Sequence, residues 1–225
     1  MKAFRILTLF PGYFTGPLSA SLLGKSIKNK IISAELIDVR NFGLGKHKQV
    51  DDTPYGGGPG MVMMVEPLAK AIQSLEEPTG HTVLLSARGK KVTQEDFKRL
   101  ASYAEPINII CGHYEGVDER VGEQLCDEQL CIGPYVLSGG EPAAMILLDG
   151  IARLLPGFMH NEESIVEESF SNPEYTEFPQ YTRPADFSGW KVPDVLLSGN
   201  HAAIKKWRTE NSKPAKKHFL KNDDH

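Results

Sequence analysis

Three apolar runs too short for helices, Thr82–Ser86, Ile107–Cys111 and Leu130–Ile132, each open into a turn, and nothing else in the chain limits its fold as much. Segments with apolar residues at helical spacing lie between and around them. Short strands alternating with helices predict an α/β fold with a mainly parallel sheet. In such sheets ligands sit beyond the carboxyl ends of the strands. The turns Ala87-Arg88-Gly89-Lys90, Gly112-His113-Tyr114-Glu115-Gly116 and Gly133-Pro134-Tyr135-Val136-Leu137-Ser138-Gly139-Gly140 all fall at such ends. Glycine permits φ > 0 and close backbone approach. One such turn alone reads as a connector. Together, with tyrosines set inside them, they read as a ligand cradle.

The rest of the chain fits this pattern. Phe4–Phe10 reads as a buried strand ended by Pro11-Gly12, Tyr13–Ile32 as a helix and Ala34–Val39 as a second strand. A polar, glycine-rich loop follows from Arg40 to Met61, holding Lys46, His47, Lys48, Asp51, Asp52, Tyr55 and the triple glycine Gly56-Gly57-Gly58. Structureless loops longer than ~15 residues are usually functional or disordered. Met63–Leu75 reads as a helix, Thr93–Tyr103 as a helix capped by Thr93, and Asp118–Cys126 as a short helix. Leu130–Leu137 reads as a strand and Glu141–Leu155 as an apolar helix closed by Pro156-Gly157. Arg153, near the end of that helix, suits the helix dipole.

Beyond it the charge changes. From Leu154 to Thr182 there is no Lys or Arg, but there are six glutamates, which reads as an acidic linker. Residues 201–225 carry seven Lys or Arg against three acidic residues, a net +4 that leaves −8 on residues 1–200. An acidic body with a basic end fits a nucleic-acid partner. No apolar run approaches the ~20 residues of a membrane span. The N-terminal run has no small-residue cleavage site and reads as a strand rather than a signal peptide. Three cysteines without a CxxC pair predict a reduced, cytoplasmic setting.

Motif chemistry removes several enzyme classes. The seven histidines have neither HxH nor HExxH spacing and the cysteines do not pair, so no metal ligand set is predicted. Gly24-Lys25-Ser26 resembles the end of a P-loop, but Ser19 occupies the position of its first glycine. There is no GxSxG around Ser138 and no GxGxxG.

Five long strings carry a specific resemblance: HKQVDDTPYGGGPGMVMM, CGHYEGVDERV, IGPYVLSGGEPAAM, PQYTRP and VPDVLLSGNHAAIKKWR. In order and spacing, over nearly the whole chain, they resemble the bacterial tRNA (guanine-N1)-methyltransferases of the SPOUT class. The resemblance implies an α/β domain whose mainly parallel sheet contains a deep trefoil knot, against the general rarity of knots, plus a small all-α C-terminal domain. It implies three parts: residues 1–160 for methyl transfer, 161–182 as an interdomain linker and 183–225 as a helical tRNA-binding domain. The implied methyl donor is S-adenosylmethionine, and the implied reaction is methylation of N1 of the guanine just 3′ of the anticodon.

Carried over position by position, the cofactor pocket comprises Leu84, Leu85, Ser86 and Arg88, then Gly112, Tyr114 and Glu115. It continues with Ile132, Gly133, Pro134, Tyr135, Val136 and Leu137, and closes with Gly139 and Gly140. The implied catalytic pair is Arg153, supporting charge at O6, and Glu168, the general base. Aspartate is usual at that position. Glutamate has a similar intrinsic pKa and one more methylene, and Glu167 competes for the role. A cofactor- or RNA-binding module without efficient catalysis is the alternative that this departure leaves open. The family further implies a homodimer with each active site at the subunit interface, and a dependence on Mg²⁺ for which no clear site is visible.

Overall fold

A computed structural model of the chain describes residues 1–159, 168–170 and 175–214. Strands β1 (Lys2–Thr8), β2 (Ile32–Asp38), β3 (His81–Lys91), β4 (Ile107–Cys111) and β5 (Glu128–Cys131) form one sheet in the order β2-β1-β4-β3-β5. Every pairing in this sheet is parallel. Parallel neighbours need crossover connections. Helices α1 (Ser21–Lys28), α2 (Val65–Gln73), α3 (Gln94–Ser102) and α4 (Glu119–Gln124) lie in them, and α5 (Glu141–Ala152) follows β5.

Side chains alternate across each strand, so neighbours enter different cores. Ile6, Leu85 and Ile109 pack with Leu23 of α1, Leu100 of α3 and Leu147 of α5. Leu7, Leu84 and Ile110 pack on the other face with Leu68 of α2 and Val121 of α4. Both faces are covered, which is why these strands are continuously apolar rather than alternating.

The structure corrects several sequence expectations. The region expected as one helix, Tyr13–Ile32, divides into a 3-10 turn (Pro11–Phe14), a short helix (Thr15–Ser19) and α1, while Ile32 starts β2. Extended backbone at Ala20 and a positive φ of 49° at Ser21 make the break. The strand expected at Leu130–Leu137 stops at Cys131. Beyond it, Pro134 has no N–H to give a ladder, the Tyr135 N–H turns back to the Gly133 carbonyl, and Val136 is 93% exposed. Loop 40–61 is partly built, with Asp51–Asp52 paired antiparallel to Val62–Met63.

β3 is longer than the expected Thr82–Ser86 and folds past the end of β5. Leu130 is opposite Leu85 and, after a register break, opposite Lys90 as well. Gly89 makes the crossing possible, since a Cβ there would meet Gln129 C and Leu130 N at 2.5 Å.

A charged network ties β3, α3 and β5 together. Arg99 donates to both oxygens of Glu128 (3.0 and 2.7 Å), and His81 Nε2 is 2.7 Å from Glu128 Oε1. Asp96, almost fully buried, accepts from Lys90, from Arg99 and from the Thr93 hydroxyl and N–H. Burial pushes both carboxyls up, but these donors outweigh it and hold Asp96 and Glu128 below their ordinary values of 3.8 and 4.5. The folded state therefore binds fewer protons than the unfolded chain. The stability this confers is present above those ordinary values and is lost as pH falls through the folded ones. Glu128→Gln is expected to cost about 1–3 kcal/mol in urea unfolding at pH 7, with the gap to wild type narrowing towards pH 3.

The chain divides into two compact units, Met1–His160 and Asn161–His225. The second contains helix α6 (His201–Asn211), capped by the Asn200 side chain, which accepts from the Ala203 N–H at 3.1 Å. Within the segment expected as a linker, Tyr175–Thr176 pairs antiparallel with Lys213–Pro214. Phe178 and Tyr181 lie against Trp207 of α6, and the Arg208 guanidinium sits 4.8 Å over the Phe178 ring. Among the described residues no helix is long and apolar enough to cross a membrane.

Candidate active site

Three backbone turns converge on one cavity of ≈ 330 Å³ at the carboxyl ends of β3, β4 and β5. The first wall is Leu84, Leu85, Ser86, Ala87 and Arg88. Arg88 is largely exposed and reaches Glu119 at 3.1 Å, a pairing screened enough to contribute little to stability. The second wall is the Gly112–Val117 turn, with Tyr114 held at a φ of 59°. A bulky residue in that region is strained and persists only where its surroundings hold it. Here the Glu115 N–H donates to the Met61 carbonyl at 3.0 Å, and Tyr114 and Val62 form an antiparallel bridge.

The third wall runs from Ile132 to Gly140. A Cβ on Gly133 would meet the Tyr135 ring at 2.3 Å, so glycine lets the ring fold over the turn. The Gly140 N–H donates to the Gly112 carbonyl at 2.8 Å, and His113 bridges Gly139. The second and third walls are thus stitched together through main chain, and α5 starts at their junction.

Of the residues assigned to a cofactor pocket by resemblance, all line this cavity except Pro134. Ala87, His113, Gly116, Val117, Glu119, Gln129, Leu130, Cys131, Ser138 and Ala143 line it too. Ala87, His113, Gly116 and Ser138 belong to the turns already read as a cradle; the others come to it only through the fold, as Gln129 is inside β5 and Glu119 opens α4. His113 adds a polar side chain to the second wall. Its Nδ1 is buried with no hydrogen-bond partner and is 3.9 Å from Glu141 Oε2, while Glu141 Oε1 accepts from Thr8 Oγ1 at 2.7 Å. An orphaned polar atom at a cavity wall is what a polar ligand would satisfy.

Neither Cys111 nor Cys126 is set up as a nucleophile. Burial, then the nearby Glu141 charge, pushes Cys111 well up. Burial and Asp127 take Cys126 up to about 12. Thiols with such values stay protonated at neutral pH.

Residues 1–222 match the family model described as tRNA (Guanine-1)-methyltransferase TrmD. The chain belongs to this family. The tRNA (guanine-N(1)-)-methyltransferase of Carboxydothermus hydrogenoformans is 49% identical over 207 residues, covering 92% of this chain and 81% of the relative. That of Geobacillus kaustophilus is 47% identical over 221 residues, covering 97% and 89%. That of Trichodesmium erythraeum is 46% identical over 228 residues, covering 98% and 99%.

Of the two catalytic candidates of this tRNA (guanine-1)-methyltransferase family member, Arg153 is in the same unit as the cavity and Glu168 is not. Arg153 is the C-cap of α5, donating its N–H to the Asp149 carbonyl, and does not line the cavity. The twelve residues of α5 separate it from Gly140, about 18 Å at helical rise. Glu168 belongs to the second unit, on a turn where Ser169 Oγ accepts from the Glu177 N–H and the Phe170 N–H donates to the Tyr175 carbonyl. Glu167, its competitor, lies outside the described residues.

Proposed function

We propose that this protein transfers a methyl group from S-adenosylmethionine to N1 of the guanine immediately 3′ of the anticodon in tRNA. The observation that carries this reading is the glycine-walled cavity in a chain that matches the family from end to end. A volume of ≈ 330 Å³ falls within the ~300–1,000 Å³ of small-molecule sites, and so does the mixture of apolar faces with a few convergent polar groups. Main-chain groups of the three turns would hold the adenine edge and ribose, with Leu85, Leu137 and Tyr135 covering the apolar surface. S-adenosylmethionine supplies an electrophilic methyl on a sulfonium.

The chain's own residues supply the rest. N1 of guanine carries a proton and is a poor nucleophile until it leaves. Glu168 accepts that proton, and Arg153 stabilises the charge that spreads to O6. Holding the base in line with the methyl lowers the barrier further, and the base must leave its stack to get there.

The distance along α5 bears on assembly. Arg153 lies far beyond its own side chain's reach of the cavity in its own protomer. A homodimer that sets Arg153 of one copy beside the cavity of the other reconciles the two. Arg153→Ala is expected to cut methyl transfer about 10²–10³-fold with cofactor affinity retained. Mixing Arg153→Ala with Gly140→Ala subunits should restore part of the activity, because one of the two sites then has both halves intact. Recovery no better than the sum of the separate variants would argue for a site within one chain.

A trefoil knot is supported by the register break that pairs both Leu85 and Lys90 of β3 with Leu130, and by the Gly140–Gly112 stitch. Three free cysteines support a cytoplasmic setting. Among the described residues no three His, Cys, Asp or Glu side chains group to hold a metal ion, so no step is assigned to Mg²⁺. Incubation with labelled S-adenosylmethionine and two tRNA transcripts, guanine or adenine 3′ of the anticodon, tests the reaction. Label is expected on the guanine transcript alone; equal labelling or none overturns the proposal.

A further inference from the structure

We propose that the Phe187–Trp190 hairpin is a stacking platform for an unpaired base of the RNA substrate. The strands Asp186–Phe187 and Trp190–Lys191 pair antiparallel, with Phe187 directly opposite Trp190. Directly opposed residues project from the same face, and the two ring centroids are 6.0 Å apart. Yet Phe187 is 60% exposed and Trp190 78%. The rings therefore touch each other and leave their outer surfaces in water.

The hairpin does not depend on that ring contact alone. Ser188 and Gly189 take the positive φ values, 55° and 89°, that a tight two-residue turn requires. Asp186 Oδ1 accepts from the Gly189 N–H at 2.8 Å, and the Val192 N–H donates to the Ala185 carbonyl at 2.9 Å. An aromatic pair on a braced turn is a rigid surface, costing little to order when a flat ligand settles on it.

Charge selects the ligand. Residues 183–214 carry six Lys or Arg against three acidic residues, a net +3 in a chain of net −4. An exposed aromatic face in a positively charged segment suits a polyanion with free π-faces, which is a loop or single strand of RNA. The proposal rests on the reading that the protein acts on tRNA.

The test uses the full chain and a tRNA transcript. Trp190→Ala and Phe187→Ala are each expected to weaken binding about 5- to 100-fold. The salt dependence should stay unchanged, because neither substitution removes a phosphate contact. The KM for tRNA should rise while the KM for S-adenosylmethionine stays put. Trp190→Phe keeps a ring and should keep the affinity, but it should reduce the tryptophan quenching that tRNA causes in the wild type to whatever Trp207 supplies, as measured in a Trp207→Phe comparison.

Lys205→Ala/Lys206→Ala serves as the comparison. If it weakens binding and Trp190→Ala does not, the platform is wrong while the tRNA reading stands. If the transcript does not bind the wild type at all, the tRNA reading itself has failed. Quenching that is undiminished in Trp190→Phe overturns the platform. So does a Trp190→Ala protein that sediments as a smaller species, because the hairpin would then be a contact between copies of the chain.

Discussion

Replacing Glu168 with glutamine is expected to slow methyl transfer by about 10²–10⁴-fold, the usual worth of a positioned general base. Glutamine keeps the shape of the side chain and can still hydrogen-bond the guanine, but it cannot accept the N1 proton. The loss should fall on the chemical step: single-turnover rates drop while calorimetric affinity for S-adenosylmethionine is unchanged. The turn that carries Glu168 is braced by the Ser169 hydroxyl and the Phe170 N–H, and this substitution touches neither bond. Glu167→Gln is the matched control. A full rate for Glu168→Gln with a collapse for Glu167→Gln would move the base by one residue. A full rate for both would remove the carboxylate mechanism.

Gly140→Ala should abolish the cofactor site rather than the chemistry. The backbone there (φ −78°, ψ −10°) suits alanine, so space is the obstacle. The new Cβ would lie 2.7 Å from Cys111 Cα and 2.9 Å from Gly112 N. Both are main-chain atoms at the end of a fully buried strand and cannot swing aside as a flexible side chain would. The start of α5 must move away, and the Gly140–Gly112 hydrogen bond that joins two cavity walls goes with it. Cofactor affinity is expected to fall more than about 100-fold and stability by about 1–3 kcal/mol, read by calorimetry and thermal unfolding. Gly16→Ala, exposed and with nothing within 4 Å of the added methyl, should stay within about 0.5 kcal/mol of wild type. If Gly140→Ala binds the cofactor normally, the junction of these walls is not part of its site.

Local chemistry explains how much of this could be read in advance. Ile107–Cys111 declared itself a buried parallel strand because both its faces are covered, and the Thr93–Asp96 cap is a contact between near neighbours. The turns that wall the cavity were legible for the same reason: glycine reports a backbone demand. The run beyond Ile132 misled because the side chains of Tyr135, Val136 and Leu137 face a cavity or solvent instead of a core, so hydropathy marked a strand where a loop stands. Gln129 and Glu119 meet only after β3, β4 and β5 have paired. Arg153 looked like an ordinary dipole partner. Only the family resemblance implied a catalytic role for it, and the twelve residues of α5 that carry it away from the cavity were not visible as a distance until the fold was known.

Five residues around the cavity are glycines: Gly112, Gly116, Gly133, Gly139 and Gly140. This bears on how the site would answer an inhibitor. A side chain that contacts a drug can be exchanged by a single base change. An amide or carbonyl group of the main chain cannot, and at Gly140 even the smallest addition collides with main-chain atoms of the protein itself. A compound held by those main-chain groups would leave the enzyme few routes of escape that did not also disturb the walls of the cavity.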